Sequence, residues 1–154
     1  MDLKFEKYMN LALIEARKAY DLNEVPVGAV VVYKDNIIGS GFNKREITNN
    51  ALAHAEIIAI NEACKNLNSW RLIDCDIYIT LEPCPMCVGA IINSRIKKII
   101  YGAQDFKSGS LGSVFNIFDF KFNHKPEIIS GVLETKSASL LKDFFSKLRL
   151  DKLK

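Results

Sequence analysis

The sequence predicts an α/β fold in which a mixed sheet of about five strands is covered by helices. Three observations carry that prediction. Apolar residues recur at helical spacing near the start of the chain. Two β-branched, apolar runs flank the turn-forming Lys34-Asp35-Asn36, and beyond them helical and strand-like segments alternate. With 154 residues, 49% of them apolar, the chain is expected to build one domain over residues 1–154 around a sizeable core.

Phe5, Tyr8, Met9, Ala12, Ala16 and Ala19 follow one another at three- and four-residue intervals, predicting an amphipathic first helix that ends near Asn23. Residues 27–33 read as a strand, and a second apolar run from Ile37 completes a hairpin. A polar stretch over 43–50 leads into a helical pattern over 54–67, followed by a short strand over 76–81. Residues 85–93 form a helix that opens on Pro85, where the missing N–H costs nothing. A further strand covers 98–101, and the Gly- and Ser-rich residues 108–113 are a loop. Residues 115–122 are aromatic but carry no period that assigns them. Residues 127–133 are the candidate fifth strand. The last helix, over 136–150, aligns Leu141, Phe144, Phe145 and Leu148 in one stripe. There are no internal repeats, low-complexity tracts or interdomain linker.

No apolar run approaches the roughly 18 residues that span a bilayer, and no basic segment followed by an apolar one opens the chain. A soluble, cytoplasmic protein without a membrane partner is expected. In a reducing cytosol the four cysteines (64, 75, 84 and 87) are poor candidates for disulfides, which turns attention to metal or redox chemistry. The net charge of +3 does not by itself imply a nucleic-acid partner. From Lys136 onward, however, six basic residues face two acidic ones, a local balance of +4. Such an end can follow phosphates, and equally can be the solvated face of an ordinary helix.

Two helix starts carry ligand-type residues: His54-Ala55-Glu56, and, thirty positions after His54, Cys84-Pro85-Met86-Cys87. Cys84 and Cys87 are three apart and share a helix face, and a helix N-terminus favours the thiolate that zinc requires. His54, Cys84 and Cys87 supply three protein ligands, the count of a catalytic zinc. Its remaining position is left for a water whose pKa the metal lowers from about 15.7 towards 7. Glu56 is the candidate general acid and base, on one condition. Two residues apart on a regular helix, His54 and Glu56 would point to nearly opposite sides, so His54 must sit at the unwound helix start. CxxC alone also fits a structural zinc site, a dithiol redox pair or plain buried thiols. The joint pattern, HxE followed by PCxxC, matches the signature of zinc-dependent base deaminases. Cys64 and Cys75 lack that spacing and are expected to be buried thiols.

With these residues placed, the chain resembles the bacterial tRNA-specific adenosine deaminases of the cytidine and deoxycytidylate deaminase superfamily. The resemblance runs along Glu24-Val25-Pro26-Val27-Gly28-Ala29-Val30, His54-Ala55-Glu56, Arg71-Leu72-Ile73-Asp74, the segment from Thr80 to Cys87, Ser94-Arg95-Ile96, Tyr101-Gly102-Ala103 and Asp143-Phe144-Phe145. It implies a three-layer fold with helices on both faces of the sheet and one zinc ion per subunit. It further implies hydrolytic deamination of adenosine to inosine at the wobble position of a tRNA anticodon, usually that of an arginine tRNA. A homodimer is implied as well, its partner subunit helping to hold the anticodon arm. Carried over by position, Asn43 contacts the target nucleotide, Ala55 belongs to the substrate-binding set, and Asp105 and Lys107 lie in the loop that holds the flipped base. Phe144, Phe145 and Arg149 fall on the terminal helix near the substrate.

Each of these residues has a plainer reading. Asn43 can simply end the hairpin. Phe144 and Phe145, about 100° apart on a helix, cannot both face the core. Glu82 can accept a hydrogen bond from substrate or help start the helix. The chain also departs from the family pattern at Asn50-Ala51-Leu52, where Asp-Pro-Thr is usual, and at Gln104, where a basic residue is common. Both positions bear on RNA recognition and leave the zinc ligands untouched. A deaminase of free bases or nucleosides, and a dithiol or structural zinc protein, are the competing functions.

Overall fold

The computed structural model describes residues 2–153. Its elements run α1 (Leu3–Asp21), β1 (Gly28–Tyr33), β2 (Asn36–Phe42), α2 (Ala55–Leu67), β3 (Cys75–Leu81), α3 (Pro85–Ser94), β4 (Lys98–Ala103), β5 (Glu127–Ile129) and α4 (Glu134–Lys152), with one 3₁₀ turn at Ile117–Asp119. The strands form one mixed sheet in the order β2-β1-β3-β4-β5. β1 pairs antiparallel with both β2 and β3, whereas β4 runs parallel to β3 and β5 parallel to β4. The expected α/β class, mixed sheet and hairpin are all present.

Helices cover both faces. On one side Ala55, Ala59 and Ala63 of α2 and Val88, Ile91 and Ile92 of α3 pack on Ala29, Val31, Ile77, Ile79 and Ile99. On the other, Tyr8, Met9 and Ala12 of α1 join Val32, Tyr78, Ile100 and Val132. Small residues let the layers approach closely. A Cβ on Gly28 would lie 2.1 Å from the carbonyl oxygen of Ala12, and one on Gly41 would lie 2.5 Å from that of Ala55. The backbone of α1 thus rests directly on β1, and the first turn of α2 rests on the end of β2.

Two expectations are corrected, on β5 and on Cys64. β5 stops at Ile129 rather than continuing to 133, because Gly131 takes a left-handed φ of 78° and turns the chain; Val132 still bonds to Tyr101 and fills the core. On α4 Ser137 and Phe144 are buried and Phe145 is exposed, in keeping with the 100° between the two phenylalanines. Cys64 is only partly buried, its thiol donating to the carbonyl of Trp70, whereas Cys75 is fully buried as expected. Among the described residues no helix is long and apolar enough to cross a membrane.

Candidate active site

The pocket opens where β3 ends, beside the start of the antiparallel β1. It has a volume of about 150 Å³ and is lined by Val25, Val27, Asn43, Arg45, His54, Ala55, Glu56, Leu81, Glu82, Cys84, Asp105 and Ser108. Two helix N-termini meet there. His54 is the N-cap of α2 and Cys84 that of α3, both with extended backbone (φ −75°, ψ 152° and φ −77°, ψ 171°). The condition on Glu56 is therefore met: His54 stands outside the helical turn while Glu56 sits inside it, and both reach one pocket.

His54 Nδ1 lies 3.6 Å from the sulfur of Cys84 and 3.6 Å from that of Cys87. A donor atom from each of the three residues lies within 4.8 Å of the others, a group placed to bind a metal ion. In the bare site the two sulfurs share one proton, Cys84 as the thiolate and Cys87 as the thiol that donates to it. A hydrogen bond from the Cys87 thiol, aided by His54 and the backbone N–H of Cys87, holds Cys84 down to about 4. That same bond, with burial, pushes Cys87 well above its ordinary value. The hydrogen bond to Cys84 raises His54. Glu56 is 4% exposed, and burial raises its carboxyl above the usual range. A buried acid with a raised pKa beside metal donors can take up and return a proton.

The walls of the pocket are tied back by buried carboxylates. Glu82 accepts from the backbone N–H of Asp105 (3.1 Å), Leu111 (2.9 Å) and Ser113 (3.2 Å), and from the Ser113 hydroxyl. It neither starts α3 nor has oxygens to spare; it organises the 105–113 loop. Glu24 does the same for the loop before α2, accepting from Glu46 N (3.1 Å) and Ile47 N (2.8 Å). Asn43 is buried, with its Nδ2 donating to Val25 O (3.2 Å) and its Oδ1 accepting from Arg45 N (3.1 Å). It ends the hairpin and lines the pocket as well. One amide N–H and one carbonyl lone pair remain uncommitted. Asp105 accepts from Lys107 N, Ser108 N and the Ser108 hydroxyl, shaping its own turn. Asn50 accepts from Leu52 N (2.9 Å), so the unusual Asn50-Ala51-Leu52 still makes a side-chain-closed turn.

The structure brings Asn43, His54, Ala55, Glu56, Cys84 and Asp105 to the pocket wall, with Cys87 buried directly behind its partner ligands. Lys107, Phe144, Phe145 and Arg149 do not line the pocket. Phe144 packs edge-on against Tyr20 in the interior, while Phe145 is 38% exposed and, among the described residues, the Arg149 side chain bonds only to Ser146. Sequence reasoning missed Val25, Val27, Arg45, Leu81 and Ser108 as lining residues. The one available signal was adjacency, since Val25 and Val27 stand in the segment around Gly28 and Arg45 follows Asn43 by two.

A mixed five-stranded sheet with HxE and CxxC helix starts converging on one pocket defines a deaminase, and residues 3–149 match the family model of MafB19-like deaminases. The chain is 47% identical over 148 residues to the tRNA-specific adenosine deaminase of Bacillus subtilis, covering 96% of this chain and 92% of that protein. It is 54% identical over 144 residues to the tRNA-specific adenosine deaminase of Rickettsia typhi, covering 92% and 97%. A solved structure from studies of A-to-I editing by tRNA:A34 deaminases superposes with a TM-score of 0.85 at 43% identity, over 88% of this chain and 99% of that one. The chain belongs to the tRNA-specific adenosine deaminase family.

Proposed function

We propose that this protein hydrolyses the exocyclic amine of adenosine in tRNA to leave inosine, acting at the wobble position of an anticodon, that of an arginine tRNA. The observation that carries this reading is the buried Glu56 carboxyl sharing one pocket with His54, Cys84 and Cys87, in a chain so similar to tRNA-specific adenosine deaminases.

Zinc is the metal that His54, Cys84 and Cys87 fit. With Zn–N near 2.1 Å and Zn–S near 2.3 Å, a tetrahedral site has N···S edges of about 3.6 Å, and the His54 Nδ1 to sulfur distances are 3.6 Å. When bound, one zinc per subunit supplies a Lewis acid that makes water nucleophilic at neutral pH. Glu56 would take the two protons of the attacking water in turn, giving the first to the purine ring nitrogen and the second to the exocyclic amine, which leaves as ammonia. Asn43 uses its remaining amide N–H and lone pair to orient the nucleotide. Ala55, as the first helical residue, offers a backbone N–H that has no partner within the helix. Asp105 shapes the wall against which the base sits, with Lys107 beside it. Phe145 and Arg149, on the exposed end of α4, meet the RNA outside the pocket, and Phe144 supports them from the core. Residues 1–154 act as one domain, in the cytoplasm where tRNA is processed, and as a homodimer whose partner subunit helps to hold the anticodon arm.

Incubation with transcribed tRNAs, followed by sequencing of the wobble position, tests the assignment; inosine is read as guanosine. Deamination of a free purine or nucleoside with none on tRNA would replace this reading by that of a small-molecule deaminase. About one zinc per chain, lost in Cys87→Ala, is expected. A metal-free protein cycling a Cys84–Cys87 disulfide would overturn the metal assignment. Glu56→Ala should retain zinc while turnover falls by at least about 10²-fold to 10⁴-fold.

A further inference from the structure

Arg45 is the only lysine or arginine among the residues lining the pocket, whose acidic members are Glu56, Glu82 and Asp105. The plain expectation is that it neutralises one of them, yet among the described residues its guanidinium makes no salt bridge and donates no side-chain hydrogen bond. Glu82 is engaged by the 105–113 loop and Asp105 by its own turn, while Glu56 is buried, 4% exposed, among the metal donors.

The backbone beneath Arg45 is, by contrast, fixed. Its N–H donates to Asn43 Oδ1 (3.1 Å), and its carbonyl accepts from Asn50 N (3.1 Å). The next two residues are held by the buried Glu24. A rigid platform therefore presents an exposed, uncommitted guanidinium at the mouth of a pocket that is otherwise acidic. A polyanionic strand entering such a pocket meets repulsion unless a cation receives its backbone, and the planar fork of arginine suits a phosphate in two-point contact. The half-buried Lys44 beside it is turned onto the Phe42 ring, 4.7 Å from its centroid, and does not line the pocket.

We propose that Arg45 binds a phosphodiester oxygen adjoining the extruded adenosine, so that the pocket admits a nucleotide within an RNA strand in preference to free adenosine. This rests on the tRNA reading above. It assigns to Arg45 the recognition of the backbone, whereas the base is held by the walls around Asn43 and Asp105.

The experiment uses the zinc-loaded protein and an anticodon stem-loop whose target adenosine is flanked by natural linkages or by one uncharged methylphosphonate, on the 5′ or the 3′ side. In the native protein one of the two methylphosphonates should raise KM about tenfold or more, the scale of a hydrogen bond to a charged group. In Arg45→Ala the natural substrate should show that rise, with little further penalty from the methylphosphonate. The slope of log affinity against log salt should shrink by about 0.7, one single-strand phosphate. Arg45→Lys should recover part of the loss. Arg45→Ala with the parent's KM and salt slope, or with the full methylphosphonate penalty, overturns the proposal. Arg45→Gln serves the same comparison should the alanine variant fold poorly, with zinc content and thermal midpoint as controls. A native protein inactive on every stem-loop defeats the tRNA reading itself, and this proposal with it.

Discussion

Glu82 is 2% exposed, and its two oxygens are taken up by three backbone N–H groups and the Ser113 hydroxyl rather than by a cation. Truncation leaves buried donors without acceptors, at about 1–3 kcal/mol for each group that water cannot reach. Glu82→Ala should therefore lower the unfolding free energy by a few kcal/mol in chemical denaturation and raise KM for the stem-loop through a loosened 105–113 wall. Glu82→Gln, which keeps acceptor capacity on one oxygen, should do less. The four residues expected to carry the chemistry were legible because metal ligation imposes spacing: His54 two before Glu56, Cys84 three before Cys87. Glu82 and Arg45 were not, because their partners lie 23 to 31 residues away for Glu82 and, for Arg45, the significance is the lack of one. Distances of that kind exist only once the chain has folded.

The closeness of helix and sheet belongs to the elements. Gly41→Ala would place a methyl group 2.5 Å from the Ala55 carbonyl in the first turn of α2, so that helix must move. Because that turn carries Glu56 and follows His54, the substitution should cost about 1–3 kcal/mol of stability and also weaken zinc binding. Gly28→Ala, pressed against α1 on the far side of the sheet, should match the loss of stability with smaller effect on the metal. A titration of zinc with each variant separates the two. β3 carries a further, pH-dependent effect. Burial pushes the Asp76 carboxyl above its ordinary 3.8, so the native state favours the protonated form. The cost is absent below that value and complete once pH has passed the raised one. Asp76→Asn should therefore stabilise the protein near pH 7 and lose that advantage towards pH 3, as read by denaturant midpoints. Most elements were legible from period and punctuation. Residues 115–122 were not, since their aromatic rings serve a 3₁₀ turn capped by Asn116, too short to display a period.

For the molecule as a whole, a metal held by both helix starts ties α2 to α3 in the folded state only. Zinc in hundredfold excess over its dissociation constant should add about 2.7 kcal/mol to stability. Chelation should correspondingly lower the thermal midpoint, and Cys87→Ala should be indifferent to both treatments. The layer arrangement was legible in outline because hairpin, helix and strand alternate. The reach of α4 was legible to within two residues at each end, 136–150 against Glu134–Lys152; the exposure of Leu148 and Leu150 was not, because it depends on where packing on the sheet stops, at Phe144. The early stop of β5 has a consequence for how copies of the protein behave together. Seven apolar-rich residues at a sheet margin would offer a long ladder of free amides to a neighbouring chain, a template for aggregation. Gly131 cuts that margin to three residues, with the half-exposed Lys98–Glu127 pair at one end. Gly131→Val, by favouring an extended strand, should raise light scattering in concentrated solution even where enzymatic turnover is unimpaired.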